Sequence, residues 1–190
     1  MILAATGHRP GKLGGYSPHA ARALLDFASY WLLRSRPDEI ISGMAQGWDT
    51  AIALAAIHHG IPLTAALPFA TQANAWPSAA RARYGEILAK ASRVVILSPV
   101  PQSDAYTRLA MQTRNRWMVD NCSELVALWD GSPGGTKHCV EYAMEANRLF
   151  ANPWHEWRQW WGRLAPLASC PPLVLPFPST AAQMETLPNE

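Results

Sequence analysis

A chain of 190 residues, 49% of them hydrophobic and with a formal net charge of +2, suits one domain with a substantial core. The basic residues are scattered (Lys12, Arg22, Arg34, Arg36, Arg81, Arg83, Arg114, Arg116), no apolar run approaches the ~20 residues that span a bilayer, and Cys122, Cys139 and Cys170 form no CxxC pair. Composition therefore argues against a nucleic-acid partner, a membrane and a disulfide framework, and with no secretory leader at Met1 it sets the expectation of a protein of the reducing cytoplasm.

Ile2 to Thr6 reads as a first strand that ends at Gly7-His8-Arg9-Pro10. A helix follows from Pro18 to Arg34, with Ser17 as its N-cap and proline at the first helical position. Glu39 to Ser42 is a second strand, followed by Gly43-Met44-Ala45-Gln46-Gly47 and a helix from Trp48 to His59, which Gly60 closes. Pro62 to Leu67 and Arg93 to Ser98 are further strands, separated by a helix from Pro77 to Lys90. A long helix from Asp104 to Asn121, a strand from Glu124 to Trp129 and a helix from Lys137 to Leu149 complete the alternation.

These strands are continuously apolar rather than alternating, the pattern of a parallel sheet covered on both faces. The expected fold is α/β: a Rossmann-like, doubly wound, mostly parallel sheet of five or six strands, with a Trp-rich helix near the C-terminus. Residues 1–150 form the ligand-binding domain, 151–178 add that helix and an edge strand at Pro171 to Pro176, and 179–190 form a polar tail. In such a fold the ligand site lies at the carboxyl ends of the strands.

Four turns fall at that edge. The first is Gly7-His8-Arg9, with a glycine for close backbone approach and two polar side chains. The second, Ser42-Gly43-Met44-Ala45-Gln46-Gly47-Trp48-Asp49, has two glycines before a helix but neither a Walker A ending nor GxGxxG spacing, which argues against that ATPase machinery. The third, Pro68-Phe69-Ala70-Thr71-Gln72, sets an aromatic beside an amide that could read a base or sugar. The fourth, Asp130-Gly131-Ser132-Pro133-Gly134-Gly135-Thr136, runs from a buried strand into a helix, which is how a chain presents free N–H groups to an anion; Arg114-Asn115 lies one helix earlier.

Five motifs occur in order: Gly7-His8-Arg9, Ser42-Gly43-Met44-Ala45-x-Gly47-x-Asp49, Pro68-Phe69-x-x-Gln72-x-x-x-Trp76, Arg114-Asn115-x-x-Met118-Val119-Asp120 and Gly134-Gly135-Thr136. Together they resemble the YpsA-like branch of the SLOG superfamily, relatives of the LOG phosphoribohydrolases and of DNA-processing protein A, over roughly residues 1 to 150. The resemblance implies a nucleotide or nucleotide-derived ligand, a nucleoside monophosphate or a compound of the ADP-ribose type, held by a sensor or sequestering protein. It implies ligand contacts from Gly7, His8, Arg9, Ser42, Gly43, Met44, Gly47, Asp49, Phe69, Gln72, Asn115, Asp130, Gly131, Gly134, Gly135 and Thr136. By analogy with LOG relatives it also implies a homodimer or higher homo-oligomer.

LOG enzymes cleave a base from ribose 5′-phosphate with an arginine and a glutamate. Arg114 matches the arginine, and Glu141 is the carboxylate nearest to the glutamate position, one helical turn late; Asp49 and Asp130 are further candidates. The alternative function is therefore an N-glycosidic hydrolase using Arg114 and Glu141. No cofactor is implied and no metal-ligand spacing is present: His58-His59 diverge on their helix, and His138 points away from Cys139. A third reading is a non-catalytic subunit docking through Trp154, Trp157 and Trp161, which share one helix face.

Overall fold

The computed structural model describes residues 1–164, so the expected strand at 171–176 and the polar tail lie outside the described residues. The chain folds as β1 (Ile2–Gly7), a 3-10 turn (Pro10–Lys12), α1 (Pro18–Ser35), β2 (Glu39–Ser42), α2 (Trp48–His58), β3 (Leu63–Leu67), α3 (Ser78–Lys90), β4 (Arg93–Ile96), α4 (Asp104–Asp120), β5 (Glu124–Leu128), α5 (Gly135–Glu145), β6 (Leu149–Ala151) and α6 (Trp154–Leu164). Among the described residues six strands form one parallel sheet in the order β4-β3-β2-β1-β5-β6. The chain steps outward from β1 to β4, then returns through α4 to lay β5 on the other side of β1. The strand order therefore reverses between β1 and β5, and the crevice beyond their carboxyl ends is where such a sheet receives ligands.

Side chains alternate across the sheet, so each strand feeds both faces. Leu3, Ala5, Ile40, Leu63, Ala65 and Val126 meet α1, α2, α3 and α6 in the larger core cluster; Ala4, Ile41, Ala66, Leu125 and Ala127 meet α4 and α5 in the smaller. Ser17 caps α1 as the sequence predicts, accepting from Ala20 N–H at 3.1 Å, and Gly60 follows α2 with φ +68°.

Two expectations change. The helix expected to reach Leu149 stops at Glu145, because Asn147 takes a left-handed φ of +51° and the Arg148 N–H bonds back to Ala143. The freed residues Leu149–Ala151 pair with Glu124–Val126 and supply the sixth strand. The strand at Arg93 is not buried on both faces: among the described residues β4 pairs only with β3, and Val94 and Ile96 are exposed at the sheet edge. The Trp-rich helix lies on the α1 face of the sheet, with Trp157 buried against Phe27 at 5.5 Å between ring centroids.

Candidate functional site

The turns after β1 and β5 are tied to each other at the switch point. His8 Nε2 lies 2.6 Å from Asp130 Oδ1, Lys12 Nζ reaches Asp130 Oδ2 at 2.9 Å, and the Ser132 N–H donates to Oδ1 at 2.9 Å. Lys12 also donates to the Ser132 hydroxyl. Burial works to raise the Asp130 carboxyl, but hydrogen bonds from Ser132, Lys12 and His8 prevail and hold it well below the usual carboxylate range. Its stabilising contribution is thus present above the ordinary Asp range and is lost as pH falls toward its folded value. Lys12 is a residue the sequence reading missed; its only signal was its place four residues after His8, inside the turn.

This clamp presents the start of α5. Gly134 precedes the helix at φ +149° and no side chain caps the first amides. A Cβ at Gly131, Gly134 or Gly135 would meet nothing within 4 Å, so these glycines border open space. Asn115 fixes the helix from beneath by donating to the Gly135 carbonyl at 3.0 Å, which leaves the amide end free. Thr136 is 9% exposed in the first turn, and Arg9, next to the clamped His8, is exposed with no ion pair among the described residues. Free N–H groups, the positive helix end and a guanidinium on the adjoining turn are the elements from which anion sites are built.

The second glycine turn is built differently. The Ser42 hydroxyl donates to the Asp49 carbonyl at 2.8 Å and accepts from Met44 N–H at 3.1 Å, while the Thr50 hydroxyl donates to the Ala45 carbonyl at 2.7 Å. The Gln72 amide donates to the carbonyls of Gly43 and Met44, at 3.2 and 3.0 Å. Trp48 N–H, at the start of α2, is taken by the His8 carbonyl at 3.3 Å. Gln72 thus pins a loop, and the α2 terminus is occupied by the protein itself. Met44, buried and non-glycine, is held at φ +57°, a strained conformation that clusters at functional sites.

The glycines here serve close packing. A Cβ at Gly7 would lie 2.6 Å from the Trp48 Cβ, one at Gly43 would overlap the Arg114 guanidinium, and one at Gly47 would strike the His8 carbonyl. Gly47→Ala, at φ +99°, is therefore expected to cost about 1–3 kcal/mol, read as a shifted urea midpoint; an unchanged midpoint would show that the turn relaxes freely.

Beneath Gly43 lies a buried ion pair, Arg114 Nη1 to Asp49 Oδ2 at 3.6 Å, with side chains 8% and 3% exposed. Burial pushes the Asp49 carboxyl up against the opposing charges of Arg114 and Arg9, and burial pushes Arg114 down against Asp49. Asp49 Oδ1, Arg114 Nε and Nη1, Gln72 Oε1 and the Tyr84 hydroxyl have no hydrogen-bond partner among the described residues. Arg114 therefore lies under the loop, and Arg9 is the exposed guanidinium at this edge.

The structure brings Gly7, His8, Arg9, Asp130, Gly131, Gly134, Gly135 and Thr136 to one rim, with Asn115 behind it. Ser42, Gly43, Met44, Gly47, Asp49 and Gln72 form the supporting layer, and Phe69 is buried at 7% exposure. Glu141 is not brought to Arg114: it is exposed on α5 and pairs with Lys137 at 3.3 Å. No group of three or more metal-ligating side chains occurs among the described residues.

The family described as DNA recombination-mediator protein A matches residues 17–161. A curated relative, the uncharacterised SPbeta prophage-derived protein YoqJ of Bacillus subtilis, is 29% identical over 115 residues, 54% of this chain and 67% of the relative. DNA processing protein A from Streptococcus pneumoniae superposes with a TM-score of 0.56 at 19% identity, over 87% of this chain and 56% of that protein; this chain thus spans little more than half its length. Its counterpart from Helicobacter pylori, described for its single-stranded DNA binding mode, gives 0.54 at 14% identity over 88% and 80% of the two chains. The molybdenum cofactor binding protein of Rippkaea orientalis gives 0.50 at 12% identity over 87% and 84%.

Proposed function

The chain belongs to the DNA recombination-mediator protein A family, and on that footing we propose that it binds a phosphate-bearing nucleotide ligand at the β1/β5 switch point, as a sensor or sequestering protein. One observation carries this reading: α5 starts without a capping side chain, behind glycines that face open space, at the crevice where the strand order reverses. Gly134, Gly135 and Thr136 supply N–H groups and a hydroxyl to the phosphate, Arg9 supplies charge, and His8 with Asp130 orients the rim.

The fold relatives support a ligand of this kind, since one is described as binding a molybdenum cofactor and another as binding single-stranded DNA. The second of these removes the support for excluding nucleic acid, which rested on low net charge and scattered basic residues; a short single strand offers the same phosphate chemistry. Hydrolysis is less favoured, because it needs a carboxyl that exchanges a proton beside the scissile bond. Asp130 is ionised and fully engaged, Asp49 is sealed under Gly43, and Glu141 faces solvent.

Titration calorimetry with AMP, ADP-ribose and a short oligothymidylate tests the proposal. Arg9→Ala is expected to weaken binding of the preferred ligand about 10-fold, from loss of one charge-assisted contact, with the melting temperature unchanged. Equal affinity in the variant removes Arg9 from the site. Free base in the supernatant restores the hydrolase.

A further inference from the structure

At the β4 edge the sheet leaves apolar side chains open. Val94 and Ile96 stand beside Ala65 and Leu67 on the α3 side, yet they are 43% and 55% exposed, so α3 leaves this outermost strand open. On the other side the Arg93 guanidinium lies over the Trp117 ring, 6.0 Å from its centroid, which sets α4 against the same edge. Leu109, Thr113 and Trp117 recur every four residues and so share one stripe of α4, and Leu109 and Thr113 are exposed. Among the described residues the outward N–H and C=O groups of β4 have no partner.

Proteins blunt a sheet edge with lysine, proline or a bulge, and between Val94 and Ile96 this strand has none of them. Val94, Ile96, Val100 and Leu109, each about half exposed, leave roughly 300 Å² of apolar surface open, the scale of a functional patch. The strand backbone and the rest of the α4 stripe bring the face toward the ~800 Å² per partner of a standard interface.

A row of strand N–H and C=O groups is matched best by another strand edge, and a second copy carries one. Antiparallel pairing centred on Val95 sets Val94 opposite the partner's Ile96 and Ile96 opposite the partner's Val94, all on the α3 side. It also sends the two Arg93 side chains to opposite ends of the pair, ~13 Å apart along the strands. We propose that two copies of this chain join β4 to β4 about a twofold axis, with the two α4 stripes on one side of the continued sheet. This pairing is closed, whereas β4 against the β6 edge of another copy would be heterologous and leave both molecules open to further addition. The β1/β5 switch point lies three strands in from β4, so the interface does not depend on what that site binds.

Sedimentation velocity on the full chain at micromolar concentration tests this. Wild type is expected at twice the 20.9 kDa chain mass. Val94→Lys/Ile96→Lys puts like charges directly opposite each other and is expected to weaken self-association about 100-fold, giving the mass of one chain. Mixing it with Val94→Glu/Ile96→Glu should restore the doubled mass, since opposite charges then face each other; a variant that had merely misfolded would not recover. Leu149→Lys, at the other edge, should leave the mass unchanged. Wild type sedimenting as one chain overturns the proposal, and so does a lysine variant that keeps the doubled mass. A mixture that stays at the mass of one chain, or dissociation by Leu149→Lys, overturns it equally.

Discussion

Arg114→Ala is expected to destabilise the fold by about 3–5 kcal/mol, because it strands the Asp49 carboxylate in a closed, apolar setting. The pair is costly to break without being a large source of stability. Removing both charges, as in Asp49→Asn/Arg114→Met, should recover a good part of the loss of either single variant. Urea denaturation of all four proteins gives the coupling; additive losses would mean that the two side chains do not act as a unit.

The pH dependence has a definite sign. Without Arg114, burial acts on Asp49 with one opposing cation fewer, so its folded pKa stands further above the unfolded value. A carboxyl raised in the folded state takes up a proton more readily folded than unfolded. The deficit of Arg114→Ala should therefore shrink as pH falls from neutrality toward the ordinary Asp range. A deficit that is flat with pH would show that the stranded carboxylate is not its origin. At lower pH Asp130 acts in the opposite direction, since its folded pKa is depressed and its protonation costs stability.

Trp157→Ala should cost a similar 3–5 kcal/mol, lowering the melting temperature by about 10 °C. Trp157 is 1% exposed, sits 5.5 Å from the Phe27 ring and stacks with Trp161 at 5.9 Å, so its removal opens a cavity between α1 and α6. Tyr106→Ala, at 64% exposure, should change stability by less than about 0.5 kcal/mol and serves as the control. A small effect at Trp157 would show α6 to be dispensable packing, and would return its aromatic face to the role of a docking surface.

The alternation of apolar strands and helices was legible because both faces of the sheet are covered over most of its width, and runs such as Leu125-Val126-Ala127-Leu128 announce that burial. The same logic failed at β4: Val94-Val95-Ile96 is as apolar as any inner strand, and nothing local says that among the described residues it pairs on one side alone. The end of α5 was signalled by Asn147, which tolerates the left-handed conformation, but the helical pattern runs on past it. At the site, glycine content marked the right turns without separating their roles. Whether Gly43 faces a ligand or Arg114 depends on a side chain some seventy positions away. Sequence could pair Arg114 with the glycine-rich turn by family resemblance, but its burial against Asp49 emerges only from packing.

That division of the glycines has a consequence for variation. At positions 7, 43 and 47 even a methyl group collides with the protein's own atoms, whereas positions 131, 134 and 135 look outward. In a saturation library sorted first for abundance and then for ligand retention, the inner three should be depleted at the first sort. Gly135, whose φ is ordinary, should persist through it and drop out at the second, while Gly131 and Gly134, at φ +88° and +149°, should lose some alleles to backbone strain at the first and the remainder at the second. The boundary between scaffold and binding surface would then be drawn by alleles alone, glycine by glycine.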